Sequence, residues 1–234
     1  MAQLERKKLV ELRDVTKVFG SNNVTNTVLK QLSLSIYEGD FLMILGKSGS
    51  GKTTLMNIIG FLDRISDGQY LFLGEDVSEL NESKKSTIRN AHFGFIFQQF
   101  FLINSLNVLQ NVELPLVYAS ETNKKERRKK VEHYLSLVGI PEKVLAKTKE
   151  LSGGQQQRVA IARSLVNEPS LIMADEPTGA LDSETGIGVM NLLKELNQQG
   201  KTIVMVTHDE DLLQYATRVI RMQDGSFVEE GDQS

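Results

Sequence analysis

Between positions 41 and 61 the chain reads FLMIL, GKSGSGKT, TLMNIIGF, and no other stretch constrains the fold as much. Phe41–Leu45 is a continuous apolar run, which suits a strand buried on both faces. Gly46-Lys47-Ser48-Gly49-Ser50-Gly51-Lys52-Thr53 fits the pattern G-x-x-x-x-G-K-[ST], and the residues from Thr53 to about Phe61 predict a helix. In such a strand–loop–helix unit the glycines let the backbone curl so that successive N–H groups converge on phosphate oxygens. The helix N-terminus adds its partial positive charge. Lys52 would reach the β- and γ-phosphates, and the Thr53 hydroxyl would ligate Mg²⁺. A glycine-rich turn without a ligand does not explain why strand, glycines, lysine, hydroxyl and helix fall in register. The expectation is a nucleoside triphosphate site.

Two further apolar runs follow the same plan: Leu171–Ala174 ends at Asp175–Glu176, and Ile203–Val206 ends at Thr207–His208. Three buried strands with polar residues at their carboxyl ends describe an open parallel α/β sheet, which binds ligands in the crevice beyond those ends. The first forty residues alternate apolar and polar (Leu9, Val10, Leu12, Val15, then Leu32, Leu34, Ile36), as half-buried antiparallel strands do. The break at Gly20–Asn26 reads as a hairpin loop. From Gln98 to about Val166 the chain reads mostly helical, too long for one crossover helix, and predicts an inserted helical subdomain.

Composition closes off several classes of function. Lys+Arg 27 against Asp+Glu 30 gives a net charge of −3, without the basic footprint of a dedicated nucleic-acid binder. The absence of cysteine excludes disulfide scaffolds, cysteine-ligated zinc and thiol catalysis. The start MAQLERKKLVELRD carries charges with no apolar run behind them, unlike a signal peptide. Nothing approaches the roughly 18 apolar residues of a spanning helix. The expected address is the cytoplasm, with any membrane role exercised through a partner. The tail after Phe227 is short and acidic and suggests no added regulatory domain.

Asp175 suits direct or second-shell contact with Mg²⁺, and Glu176 suits polarising an attacking water. A pair of acids at a helix start is the plainer alternative, weakened by the phosphate loop elsewhere in the chain. His208 at a strand end would hold the γ-phosphate and orient the water, or be structural. Leu151-Ser152-Gly153-Gly154-Gln155 precedes an arginine-bearing amphipathic helix, Gln157 to Val166, with apolar Val159, Ala160, Ala162 and Leu165. The serine would cap that helix, and the glycines would let a phosphate approach its amides. By itself the segment reads as a capped helix after a turn, or as a second anion site.

Together these motifs resemble the ATP-binding-cassette (ABC) ATPases over nearly the whole chain. The resemblance implies an α/β fold: a P-loop NTPase core with a mixed sheet, an N-terminal antiparallel β-subdomain and an inserted α-helical subdomain. Residues 1–234 then form one ABC ATPase domain, with 1–97 and 167–234 as core and β-subdomain and 98–166 as the helical signature subdomain. It also explains the second anion site, because two cassettes of this family meet head to tail and the signature of one closes over the nucleotide of the other. Gly46, Ser48, Gly49, Ser50, Gly51, Lys52, Thr53 and Thr54 would hold the nucleotide from one side. Ser152, Gly153, Gly154 and Gln155 would hold it in trans. Gln98 in FIFQQF matches the Q-loop glutamine, Asp175 and Glu176 the Walker B pair, Asp182 the D-loop, and His208 the switch histidine. The implied catalytic groups are Glu176, His208, Gln98 and Lys52, and the implied Mg²⁺ ligands Thr53, Gln98 and Asp175. Phe19 is either the adenine-stacking aromatic or an ordinary core phenylalanine. Relatives often carry proline where Lys47 stands, and that side chain is expected to point to solvent.

Within the family, Phe97-Gln98-Gln99-Phe100, Asn111-Val112-Glu113-Leu114-Pro115-Leu116 and Thr178-Gly179-Ala180-Leu181-Asp182-Ser183 are similar to the macrolide-export and lipoprotein-release subgroup. That similarity implies an ATP-hydrolysing subunit on the cytoplasmic side of the cell membrane, serving a separate permease with a large extracytoplasmic domain. It further implies export of antimicrobial peptides, antibiotics or lipoproteins, a second copy of the chain, and a periplasmic or membrane-fusion accessory protein. Nucleic acid is not among the expected partners. The alternative is a nucleotide-driven switch that acts through a permease on cell-wall hydrolysis or peptide sensing, without transport. Phe100, Phe101 and Leu102 would pack inside or form a docking surface for that permease. The charge run Lys124–Lys130 precedes Val131, Tyr134, Leu135 and Val138 at helical spacing, and reads as the wet face of an amphipathic helix.

Overall fold

The computed structural model describes residues 6–21, 24–120 and 123–228. In chain order its first elements are β1 (Lys8–Ser21), β2 (Val24–Tyr37), β3 (Phe41–Leu45), α1 (Lys52–Ile59), β4 (Asp67–Phe72), β5 (Glu75–Asp76), α2 (Glu82–His92) and β6 (Phe93–Phe97). There follow α3 (Val108–Tyr118), α4 (Lys124–Leu137), α5 (Gly153–Leu165), β7 (Leu171–Asp175), α6 (Ser183–Gln198), β8 (Thr202–Thr207), β9 (Arg218–Gln223) and β10 (Ser226–Val228). They gather into two compact units, Met1–Lys85 with Asn197–Ser234, and Ser86–Leu196.

The first unit holds the antiparallel sheet anticipated from the alternation, with strand order β2-β1-β4-β5. Leu9, Val10, Leu12, Val15, Leu32, Leu34 and Ile36 are all buried. Leu9 and Val10 both turn inward although adjacent, because the register shifts between Lys8 and Val10. The loop expected over Gly20–Asn26 is shorter than that. Pairing continues through Phe19↔Asn26, Gly20↔Thr25 and Ser21↔Val24, where Val24, Thr25 and Thr27 favour strand backbone. Residues 22 and 23 lie outside the described residues, as does the acidic tail from Glu229.

The same unit carries a mixed set of strands in the order β10-β9-β3-β8, with β3 parallel to both β8 and β9. All five side chains of β3 and all six of β8 are buried. Each large aliphatic among them contributes about 1.5–3 kcal/mol relative to exposure. Helix α1 stops at Ile59 rather than Phe61. Phe61 takes a left-handed φ of 57°, and its N–H and that of Leu62 turn back to the carbonyls of Ile58 and Asn57, closing the helix end. The β9–β10 hairpin was not anticipated, although its turn, Asp224 (φ 47°) and Gly225 (φ 82°), is a strong hairpin dipeptide.

In the second unit β6 and β7 pair in parallel, from Phe93↔Leu171 to Phe97↔Asp175. Between them in sequence lie α3, α4 and α5, the helical insertion expected from the middle of the chain. Strand β6 was also unforeseen, and Gly94 in it marks a close approach: a Cβ there would overlap the Ser164 carbonyl of α5. Helix α4 has the anticipated character, with Val131, Tyr134 and Leu135 buried while Lys124, Lys125, Arg128 and Lys129 face out. Ion pairs Arg128–Glu132 (2.7 Å) and Lys129–Glu126 (2.9 Å) lie along its exposed side.

Candidate functional site

In the first unit the loop leaving β3 has the shape the glycine spacing requires. Gly49 and Gly51 take φ of 80° and 101°, left-handed values that favour glycine, and Gly51 caps α1. Gly46 admits no side chain at all. A Cβ there would overlap the Met222 carbonyl and come within 2.7 Å of the Ser50 hydroxyl. Gly225 in the β9–β10 turn donates from its N–H to the Ser50 carbonyl (3.0 Å), so this hairpin braces the loop from behind. Lys52, mostly buried, donates from Nζ to the carbonyls of Gly46 (2.6 Å) and Lys47 (2.9 Å), which holds its ammonium over the curl of the loop.

The loop suits a triphosphate. Its amides are curled around glycines at a helix N-terminus, a cradle suited to anionic oxygens. The Ser50 hydroxyl is buried with no hydrogen-bond partner, a polar group facing an undischarged need. Thr53 at the first turn of α1 is exposed, Thr54 half-buried and Ser48 exposed. Lys47 is exposed as expected. A cleft of about 600 Å³ opens beside the loop, lined by Gly46–Ser50, His208, Glu210, Arg221 and Asp224 among others. His208 stands just beyond the end of β8 and is exposed. Phe19 is 45% exposed, which removes the core-phenylalanine alternative. The Lys17 ammonium lies 4.6 Å from its ring centroid and is itself held by Asp63 (2.6 Å) and the Arg64 carbonyl (2.8 Å).

The second unit carries the carboxylates and the signature. Asp175 ends β7 opposite Phe97, and Gln98 follows Phe97 directly. Both Asp175 and Glu176 are half-buried, and Gln98 is exposed. Glu176 adopts a φ of 43°, a left-handed conformation unusual for glutamate that redirects the chain as it leaves the strand. The turn closes with Gly179 N–H donating to the Glu176 carbonyl (3.0 Å). Among the described residues no three His, Cys, Asp or Glu side chains cluster as a metal cage. The Gln98 amide and the Asp175 carboxylate are oxygen donors of the kind that suit Mg²⁺, which is usually held by few protein oxygens together with phosphates.

Ser152 caps α5, and the helix starts at Gly153, four residues before the expected Gln157. The Ser152 hydroxyl accepts from Gln155 N–H (3.3 Å), and the Gln155 side chain accepts from Ser152 N–H (3.1 Å). This reciprocal box extends the helix back to the signature and places the amides of Gly153 and Gly154 at its positive end. A Cβ on Gly154 would overlap Cγ2 of Thr185, so that side chain would have to shift, and one at Gly153 would lie 3.5 Å from Leu181. Asp182 accepts from Thr185 N–H (3.0 Å), and this bond holds its carboxyl below the usual range. Thr185, which the motifs did not single out, thus adjoins both the signature and Asp182.

Of the apolar trio, Phe100 and Leu102 are half-buried and Phe101 is 61% exposed, so the three do not all pack inside. Ile103, Val117, Tyr118 and Leu145 of the same unit are also exposed. Arg163, largely buried, donates to the carbonyls of Phe100 (2.8 Å) and Phe101 (2.7 Å) and anchors this segment. Burial lowers the pKa of its guanidinium. Gln157 and Arg163 escaped the sequence reading because on a helix they pass for polar residues of an amphipathic pattern.

Comparison with known proteins gives a consistent result. A family model described as "ABC transporter" matches residues 29–179, which span the phosphate loop, Gln98, the signature and Asp175–Glu176. The macrolide export ATP-binding/permease protein MacB of Wolinella succinogenes is 50% identical over 223 residues, covering 95% of this chain and 34% of that protein. The chain therefore spans about a third of the length of that relative. The uncharacterized ABC transporter ATP-binding protein MJ1508 of Methanocaldococcus jannaschii is 46% identical over 221 residues, 94% of this chain and 98% of that one. Among solved structures, the dimeric ATP-binding cassette MJ0796 in a post-hydrolysis state bound to ADP and Pi superposes with a TM-score of 0.86. It has 43% identity and covers 94% of this chain and 97% of that one.

Proposed function

The chain belongs to the ABC transporter family as an ATP-binding, ATP-hydrolysing domain, and from that premise we propose that it is the motor of an export system, energising a membrane permease. The observation that carries this reading is the phosphate loop, whose left-handed glycines, buried Ser50 hydroxyl and inward Lys52 form a cradle for a triphosphate. Residues 1–97 and 167–234 act as the nucleotide-binding core, and 98–166 as the helical signature subdomain. Gly46, Ser48–Thr54 and Phe19 bind ATP, with Phe19 offering an exposed ring to the adenine. Thr53, Gln98 and Asp175 would hold Mg²⁺, which when bound neutralises charge on the phosphates. Glu176 orients water in line with the γ-phosphate, while Lys52 and His208 stabilise charge as it develops there.

The signature completes the site from a second copy. Ser152, Gly153, Gly154 and Gln155 present a helix N-terminus, and Asp182 stands beside it, so two chains head to tail enclose two ATP molecules. The dimeric MJ0796 cassette supports this arrangement. Among the described residues no helix is long and apolar enough to cross a membrane. The exposed Phe101, Ile103, Val117, Tyr118 and Leu145 support docking onto a permease at the cytoplasmic membrane surface. The relatives named for macrolide export support an outward direction and an antibiotic-like cargo. The test is Glu176→Gln. It should bind ATP at parental affinity, lose turnover and accumulate as an ATP-loaded dimer by size-exclusion chromatography. Brisk hydrolysis by this variant would refute the role given to Glu176.

A further inference from the structure

Helix α5 carries the signature at its N-terminus, and in its middle lies a polar side chain that the motifs do not explain. Gln157 is fully buried. Its Nε2 donates to the Pro177 carbonyl at 2.5 Å, a buried bond, and to the Phe97 carbonyl at 3.5 Å. Phe97 immediately precedes Gln98, and Pro177 immediately follows Glu176. One amide thus reaches the backbone beside Gln98, assigned to Mg²⁺, and beside Glu176, assigned to the attacking water.

We infer that Gln157 is a positioning residue for hydrolysis, fixing the backbone around Gln98 and Glu176 from the signature helix. The need arises where two parallel strands end together. Phe97 and Asp175 are the last paired residues of β6 and β7, so carbonyls beyond them leave the ladder and require other donors. Glu176 there holds a left-handed φ of 43°, a conformation that persists only when its surroundings over-determine it. Gln157 anchors the next residue on one side, and the Gly179–Glu176 turn closes the other. Six positions further along α5, Arg163 holds the far end of the same segment through Phe100 and Phe101.

Stability alone does not account for a glutamine here. Its Oε1 is buried with no hydrogen-bond partner, a cost that offsets much of what the bond to the Pro177 carbonyl contributes. What the amide supplies is direction at two carbonyls, and a displacement of either by a fraction of an ångström would move the Mg²⁺ ligand Gln98 or the Glu176 carboxylate that must align water with phosphorus. This inference rests on the roles proposed above for Gln98 and Glu176.

The test compares steady-state ATP hydrolysis, ATP affinity and thermal midpoint for the full chain and for Gln157→Leu, with Gln157→Met as a second variant of matching length and Glu176→Gln in parallel. We expect each Gln157 variant to lose about tenfold or more in kcat with KM for ATP within about twofold. The thermal midpoint should stay close to the parent's, because the unpaired Oε1 disappears as the buried Pro177 carbonyl loses its donor. Added to Glu176→Gln, Gln157→Leu should leave ATP-driven dimerisation unchanged. A kcat within about twofold of the parent would overturn the inference. So would equal losses in kcat and ATP affinity, loss of dimerisation, or failure of both variants to fold, each of which makes Gln157 a packing residue. Full activity of Glu176→Gln by itself would be a separate failure, that of the role assigned to Glu176.

Discussion

A Cβ built on Gly179 would lie 2.8 Å from Nε2 of Gln98, so the glutamine amide rests directly on a glycine in the turn that follows Glu176. The obstructing atom is the far end of a flexible side chain, so the backbone need not move to relieve the overlap. Gly179→Ala should therefore fold normally and bind ATP as the parent does, while its Gln98 is pushed off its seat. We expect kcat to fall about tenfold with little change in KM, read by steady-state hydrolysis beside a thermal melt.

At Gly46 the obstruction is the Met222 carbonyl, which is backbone and cannot swing aside. Gly46→Ala should separate the phosphate loop from the β9–β10 hairpin at a cost of about 1–3 kcal/mol. ATP affinity should fall with it, because the amide cradle and the hairpin brace are one structure. Urea unfolding and equilibrium ATP binding measure the two effects on one preparation.

Ser152 has two duties that a single substitution separates. Its hydroxyl accepts from Gln155 N–H as a helix cap, and Ser152→Ala should cost about 1 kcal/mol of stability on that account. If the same segment completes the partner's nucleotide site, the variant should also bind ATP as a monomer yet dimerise poorly. Parental dimerisation, measured by light scattering in the Glu176→Gln background, would restrict Ser152 to capping.

The phenol of Tyr70 is fully buried and donates to the Ile59 carbonyl at 2.6 Å, and burial pushes its pKa well above the usual value near 10. Below pH 10 the folded and unfolded chains both keep this proton. As the pH rises further the unfolded chain releases it while the folded one retains it, so the folded state loses stability. Tyr70→Phe should flatten the alkaline limb of a stability–pH curve and cost about 1 kcal/mol near neutrality, where only the hydrogen bond is lost. Urea unfolding between pH 8 and 11 would register both.

What was legible in the sequence was written in contiguous residues. Phe41–Thr53 announces strand, curled loop and helix start in one run, because glycine spacing sets backbone freedom and the lysine and threonine follow at fixed offsets. Buried strand ends at Asp175 and His208 were readable for the same reason, as apolar runs halted by polar groups. Helix bounds were less so: α1 closes early through a left-handed Phe61, and α5 starts early because Ser152 and Gln155 cap each other.

Tertiary structure alone decided which residues hold these motifs in place. Met222 behind Gly46, Asp63 on Lys17, Thr185 against Gly154 and Gln157 on the carbonyls of Phe97 and Pro177 are contacts between distant stretches of chain. Such contacts leave no periodicity and no composition signal, since a buried glutamine and a solvated one occupy the same kind of position in a helical pattern. The backbone's local preferences write the phosphate loop into the sequence. The packing that seats Gln98 and Glu176 exists only once α5, β6 and β7 have come together, because it depends on carbonyls that the strands expose only at their ends.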